Sequence, residues 1–87
     1  MVVIFANTKG DKDDCPLYDT ELTGEDFQRF RPCTFWELCG STCMDTDGCE
    51  FWTWDPTGDG KCNMKHEKGI AKESTGEISG SKGCFEL

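Results

Sequence analysis

Seven cysteines in a chain of 87 residues limit what this protein can fold into. A domain of this length buries only a small core and usually needs cross-links to be stable. Dense cysteines in a short chain are typical of disulfide frameworks that form in an oxidising compartment. A zinc site could draw on Cys39, Cys43, Cys49 and His66, but their spacing fits no common zinc motif. We therefore expect one disulfide-stapled domain of a secreted or extracellular protein, with no metal and no cofactor.

A short helix is predicted in the middle of the chain. Thr34 and Glu37 form the T-x-x-E pattern of a capping box, which marks a helix start. Cys39 and Cys43 then share one face of that helix, since residues four apart lie one turn apart. Gly40 weakens the helix by about 1 kcal/mol relative to alanine, so the helix needs outside support.

A hairpin is predicted directly after the helix. Residues 49–55 are aromatic and β-branched, which favours a strand. Residues 56–60 have turn chemistry, and residues 61–66 can return as the second strand.

The flanking regions contain weaker strand signals. In residues 15–22 alternation places Tyr18, Thr20 and Leu22 on one face of a half-buried strand. Phe27 and Phe30 are expected to anchor an irregular segment in the core. Beyond the hairpin we expect a loop over residues 67–74, followed by a short strand around Ile78.

The predicted domain spans residues 15–84. Residues 1–14 are expected to be an N-terminal extension or linker, in which Val2–Phe5 could form a short edge strand. Residues 85–87 are expected to be a C-terminal tail. The first six residues are too short and lack the basic start of a signal peptide. We therefore expect a unit excised from a larger secreted protein.

The charge of the chain excludes two classes of partner. Its formal net charge is −8, and its basic residues are scattered. Such a chain repels phosphate backbones and anionic lipid surfaces, so we expect neither nucleic-acid binding nor membrane insertion.

Pairing of the cysteines is not settled by the sequence, because an odd cysteine and three bonds allow about 105 schemes. One cysteine must remain without an intramolecular partner. The expected helix, turn and hairpin favour Cys33 as that residue, either buried and inert or available for an intermolecular disulfide. The bonds that the spacing favours are Cys15–Cys84, Cys39–Cys62 and Cys43–Cys49.

Four segments in order resemble a PAN/apple domain over Cys15–Cys84. They are D-T-E-L-T-G at 19–24, W-E-L-C-G-S-T-C at 36–43, G-C-E-F-W-T-W-D at 48–55 and I-S-G at 78–80. The resemblance implies an α+β fold: a curved antiparallel sheet of about five strands with one helix packed on one face. It implies the same three disulfides, including the bond between the chain ends. Cys33 departs from the six-cysteine pattern of the family.

The resemblance also implies a function. Apple domains occur in contact-phase plasma proteases and in tandem arrays of apicomplexan microneme adhesins, and the acidic character and the C-P-L-Y-D-T opening at Cys15 resemble the latter. It implies a non-catalytic adhesion module in host-cell attachment, stored in a secretory organelle before release. The expected partner is another secreted or surface protein. The alternative is a lectin-like module that binds host glycans through the sheet face opposite the helix.

A binding surface can be predicted from strand alternation. If Cys49 and Cys62 face the helix, the residues that alternate with them face away from it. Aromatic side chains beside polar groups on an exposed sheet would form a plausible ligand site. The alternative is that both tryptophans of the strand are core residues. The predicted ligand-binding residues are Glu50, Trp52, Trp54, Asn63 and Lys65.

Catalysis is not expected. The chain has one histidine, and Cys33 is its only candidate for a free nucleophile. Nothing in the sequence orients the two, and no phosphate-binding loop, dinucleotide fingerprint or nucleophile elbow is present.

Overall fold

A helix packed on one five-stranded sheet makes up the fold, in a computed structural model that describes residues 15–85. The strands form a single antiparallel sheet in the order β1-β5-β3-β4-β2. The predicted α+β class is confirmed. Residues 1–14, with the predicted edge strand, and residues 86–87 lie outside the described part. The elements are β1 (Leu17–Leu22), β2 (Asp26–Phe30), α1 (Trp36–Met44), β3 (Phe51–Asp55), β4 (Lys61–Lys65), β5 (Ala71–Ser81) and a final 3-10 turn (Lys82–Phe85).

The core lies between α1 and the centre of the sheet. Cys39, Gly40 and Cys43 form the buried face of α1. Opposite them, Trp52 of β3 pairs with Met64 of β4, and both are fully buried. Because directly paired residues share a sheet face, β3 and β4 present their large side chains to the helix together.

Three disulfides join these elements. Cα–Cα separations are 5.0 Å for Cys15–Cys84, 5.2 Å for Cys39–Cys62 and 5.3 Å for Cys43–Cys49. These are the pairs favoured by the sequence. Two of them tie α1 to β4 and to the start of β3, and the third joins the two ends of the domain. Cys33 is free and buried.

The helix begins one residue later than the capping box predicts. Its N-cap is Phe35, and no side chain caps it by a hydrogen bond, so the role assigned to Thr34 is wrong. The preceding chain is held by hydrogen bonds from the Cys33 backbone N–H to the carbonyls of Asp59 and Gly60. A cap contributes only about 1 kcal/mol, which is too little to set the start of a helix fixed by such bonds and by two disulfides.

β1 and β2 follow each other in the chain but lie at opposite edges of the sheet. The sheet is about 19 Å wide between those edges, whereas the link from Leu22 to Asp26 spans at most about 15 Å. β1 must therefore bend across the sheet. The register of β1 against β5 shifts between Tyr18 and Thr20, where Asp19 adopts φ 53°. This bulge breaks the predicted alternation, since Tyr18 is exposed whereas Leu22 is buried.

Two further predictions about secondary structure are wrong. Phe27 and Phe30 belong to strand β2 rather than to an irregular segment, although the register shifts between Asp26 and Gln28. Both pack against the core as predicted. β5 begins at Ala71, inside the predicted loop. Both strands depend on pairing with distant partners, β4 and β1, which local composition does not reveal.

The domain also extends past its predicted end. Phe85, assigned to the tail, packs against the core, with its ring centroid 6.0 Å from that of Trp36.

Candidate functional site

The predicted placement of Trp52 and Trp54 is wrong, because both indoles lie on the helix side of the sheet. Trp54 pairs with Cys62, which is bonded to Cys39 of α1. Cys49 lies before β3 begins, so its direction does not continue the alternation of the strand. The prediction assumed that Cys49 and Cys62 belong to one alternating pattern, and they do not.

Trp52 is a core residue. Its exposed fraction is 0%, and it stacks on Trp36 with ring centroids 6.0 Å apart and an interplanar angle of 10°. Its Nε1–H donates to the Ser81 carbonyl at 3.0 Å. An indole held in this way cannot contact a ligand in the native fold.

Trp54 is half-buried and has a structural role. Its Nε1–H donates to the Cys33 carbonyl at 2.8 Å, which fastens the segment before α1 to β3. The ring also lines a cleft of about 260 Å³ with Thr34, Pro56, Gly58, Asp59 and Gly60.

The other three predicted residues do not converge. Glu50 is exposed before β3 and pairs with Lys82 at 3.8 Å. Lys65 is buried, where its ammonium contacts the Asp26 carboxylate and donates to the Gly24 carbonyl at 3.0 Å. Asn63 pairs with Thr53, and its Oδ1 has no hydrogen-bond partner among the described residues. The five residues therefore do not form one ligand surface.

Part of the sheet face opposite the helix is closed by the bent strand β1. The Thr53 hydroxyl of β3 lies 2.7 Å from the Ser79 hydroxyl and accepts the Leu22 backbone N–H at 3.1 Å. The Ser79 hydroxyl donates to the Thr20 carbonyl at 2.8 Å. The Thr53 and Ser79 hydroxyls of this buried layer are paired and contribute to stability rather than to ligand binding. Asn63 lies on the same face, and its Oδ1 is the buried side-chain atom without a hydrogen-bond partner among the described residues.

Cys33 is fully buried and has no contact with solvent. Its exposed fraction is 0%, and its Sγ–H donates to the Phe35 carbonyl at 3.3 Å. Burial raises the pKa of the Cys33 thiol, which keeps it protonated and a poor nucleophile. An intermolecular disulfide through Cys33 therefore requires the segment before α1 to open.

Large apolar side chains remain exposed around the start of α1, and none of them was predicted as a binding residue. Phe35 and Leu38 are 62% and 43% exposed, and Tyr18 is 60% exposed. Tyr18 packs edge-on against the half-buried Trp36, with centroids 6.3 Å apart. We call Tyr18, Phe35, Trp36 and Leu38 the helix-side patch. The signal available in the sequence was the run of large apolar residues Phe35, Trp36 and Leu38 at the start of α1, which is more than the cysteine face alone can bury.

Basic side chains line a second cleft, of about 360 Å³, where β2 ends beside the start of β4. Its walls are Arg29, Phe30, Arg31 and Lys61, which we call the basic cleft. Arg29, Phe30 and Arg31 are consecutive, and the pairing of β2 with β4 brings the distant Lys61 beside them. The prediction that the basic residues are scattered therefore does not hold for Arg29, Arg31 and Lys61.

Carboxylates at the hairpin end of β3 titrate differently from each other. Hydrogen bonds from Thr57, whose backbone N–H lies 2.9 Å from Oδ1, lower the pKa of Asp55. Burial, with the nearby charges of Asp55 and Glu21, raises the pKa of Glu77.

Within residues 15–85, no three His, Cys, Asp or Glu side chains converge as metal ligands. The same part of the chain has no helix with the length and apolar character needed to cross a bilayer. No protein-family model matches the sequence, and no curated protein matches it significantly.

Proposed function

We propose that this chain is a non-catalytic extracellular adhesion module that binds another secreted or surface protein. It would be one unit of a multidomain secreted adhesin of the PAN/apple type. The observation that carries the proposal is the helix-side patch, where three large apolar side chains are 43–62% exposed. Exposed aromatic and aliphatic side chains around one end of a helix are a common feature of protein association sites.

The location outside the cell is supported by the disulfides. Three of them link a domain of fewer than 90 residues. Such density is typical of proteins folded in an oxidising compartment and uncommon in the cytosol. The end-to-end bond Cys15–Cys84, together with the helix on one sheet face, supports the PAN/apple assignment.

A non-catalytic role is supported by the state of the candidate nucleophile. Cys33 is buried, and its thiol donates to a backbone carbonyl rather than contacting a base. An activated thiol needs an accessible, electropositive environment that lowers its pKa, and here burial raises it.

Glycan binding remains the alternative, but the structure favours it less. It depended on Trp52 and Trp54 as stacking platforms on the sheet face opposite the helix. Both lie on the helix side, and Trp52 is fully buried. We therefore base the proposed function on protein binding alone.

The test begins with identification of a partner. The oxidised chain is cross-linked to proteins secreted by the cells that produce it, and the candidate partner is purified and titrated by calorimetry. The double variant Phe35→Ser, Leu38→Ser should raise the Kd at least tenfold, because the contact would lose its central apolar side chains. Circular dichroism should show an unchanged fold.

Ile70→Ser is the matched control, because Ile70 is 69% exposed and lies outside the helix-side patch. It should change the Kd less than twofold. Equal effects of the control and the patch variant, or no effect of either, would refute binding through the helix-side patch.

A further inference from the structure

The basic cleft concentrates positive charge in an acidic protein. The formal net charge of the chain is −8, yet Arg29, Arg31 and Lys61 line one cleft. Arg29 pairs with Asn63 and Phe30 with Cys62, and Arg31, the residue directly after β2, lines the same cleft as Lys61. By strand alternation Arg29 and Lys61 share the sheet face on which Asn63 lies.

The existing ion pairs of the two arginines are weak. Arg29 lies 3.7 Å from Asp26, and Arg31 lies 3.4 Å from Asp59. The arginine side chains are 59% and 53% exposed. Exposed ion pairs contribute little, because water screens them and ordering two long side chains costs entropy, so a ligand carboxylate can replace these partners. A guanidinium binds a carboxylate through two parallel hydrogen bonds, which gives the site geometric preference.

The strand that carries both arginines is an edge strand. β2 pairs only with β4, and no backbone hydrogen bond within residues 15–85 joins its other side. An extended peptide can add to such an edge through main-chain hydrogen bonds. Its side chains would then lie about 5 Å from those of the neighbouring β2 residues on the same face.

We propose that the basic cleft and the free edge of β2 bind an extended acidic segment of a partner protein, with carboxylates at alternate positions. Two such carboxylates face Arg29 and Arg31, since both pairs are spaced two residues apart. Lys61, in the same cleft, adds a third positive charge. The free main-chain edge favours a peptide over a saccharide, which has no matching row of amide groups. The basic cleft would be a second contact site for a protein partner, beside the helix-side patch. The inference rests on the proposed function, because both require that the ligand is a protein.

The test uses the full oxidised chain and a fluorescein-labelled octapeptide of alternating Glu and Thr. A Gln/Thr octapeptide is the ligand control, and binding is followed by fluorescence anisotropy. The Glu peptide should bind at least tenfold more tightly than the Gln peptide and should weaken as salt is raised. On binding, hydrogen exchange of the amides of Gln28–Phe30 should slow.

Matched variants locate the site. Arg29→Gln with Arg31→Gln should raise the Kd for the Glu peptide at least tenfold. The control Lys72→Gln with Lys82→Gln removes the same number of positive charges outside the cleft. It should change the Kd for the Glu peptide less than threefold. Phe35→Ser should leave peptide binding unchanged, so loss of the helix-side contact and loss of this one are distinguishable.

Three results would overturn the proposal. One is equal binding of the Glu and Gln peptides, which would mean that the arginines only keep the edge of β2 unpaired, as charges on edge strands often do. Another is displacement of the peptide by glucuronate or sulfate at equal molar affinity, which would make the cleft a site for small anions. The third is binding without slower exchange in β2.

Discussion

Replacement of Trp52 tests whether this residue stabilises the core or belongs to a ligand-binding surface. Trp52→Ala removes a side chain that is fully buried, stacks on Trp36 and donates to the Ser81 carbonyl. Truncation of a buried tryptophan costs about 3–5 kcal/mol, including about 0.5–1.5 kcal/mol for the aromatic pair. Because small domains have about 5–15 kcal/mol of stability in total, the variant should lose a large part of it.

Trp52→Phe separates the hydrogen bond from the packing. Phenylalanine keeps most of the apolar contact with Trp36 but has no N–H to donate over the 3.0 Å to the Ser81 carbonyl. Loss of one such bond, with a slightly smaller ring, should cost about 1–2 kcal/mol. The alanine variant should therefore be less stable than the phenylalanine variant by about 1–4 kcal/mol.

Urea unfolding followed by far-UV circular dichroism, with the disulfides intact, measures both changes. Ile70→Ala serves as the surface control and should stay within about 0.5 kcal/mol of the parent chain. A loss below about 1 kcal/mol for Trp52→Ala would refute the assignment of Trp52 to the core.

Three further predictions concern packing, reactivity and pH. Gly40→Ala should lower the Tm although alanine is the better helix former, because a Cβ there would overlap the Phe85 ring, and overpacking costs about 1–3 kcal/mol; a higher Tm would contradict this packing. Iodoacetamide at pH 8 should label Cys33 at least 100-fold more slowly in the native chain than in urea, as measured by mass spectrometry, whereas equal rates would show an accessible thiol. Carboxyl titration by NMR should place the pKa of Asp55 below and that of Glu77 above their usual ranges. The stability that Asp55 contributes should be lost as pH falls through its lowered pKa, whereas that of Glu77 is lost as pH rises through its raised pKa. Glu77→Gln should therefore raise the Tm at pH 7 more than at pH 3, and the reverse order would contradict the sign.

The hairpin and the helix could be predicted because local chemistry is unambiguous there. Residues 49–55 favour a strand, Pro56–Gly60 is a turn, and the structure places β3 and β4 on either side of it. The same elements favoured two of the disulfides, since Cys43 and Cys49 flank a tight turn and Cys39 lies one helical turn from Cys43, within reach of Cys62. Seven cysteines in a short chain had already indicated that cross-links, rather than a large core, stabilise the domain.

The orientation of the hairpin could not be predicted, because one residue of displacement reverses every side chain of a strand. Cys49 lies just outside β3, so the alternation counted from it placed Trp52 and Trp54 on the wrong face. The pairing of Trp54 with Cys62 decides which sheet face the tryptophans occupy, and this pairing does not follow from the spacing of the cysteines.

The sequence by itself determined the α+β class of the domain, its dependence on disulfides and the hairpin with its strong turn signal. Tertiary structure decided which surfaces are available for binding. The basic cleft exists only because β2 pairs with β4, and the sheet face opposite the helix is partly closed only because β1 bends at Asp19. Both are contacts between residues distant in the chain, and their free energies depend on the partner that each strand finds rather than on its own composition.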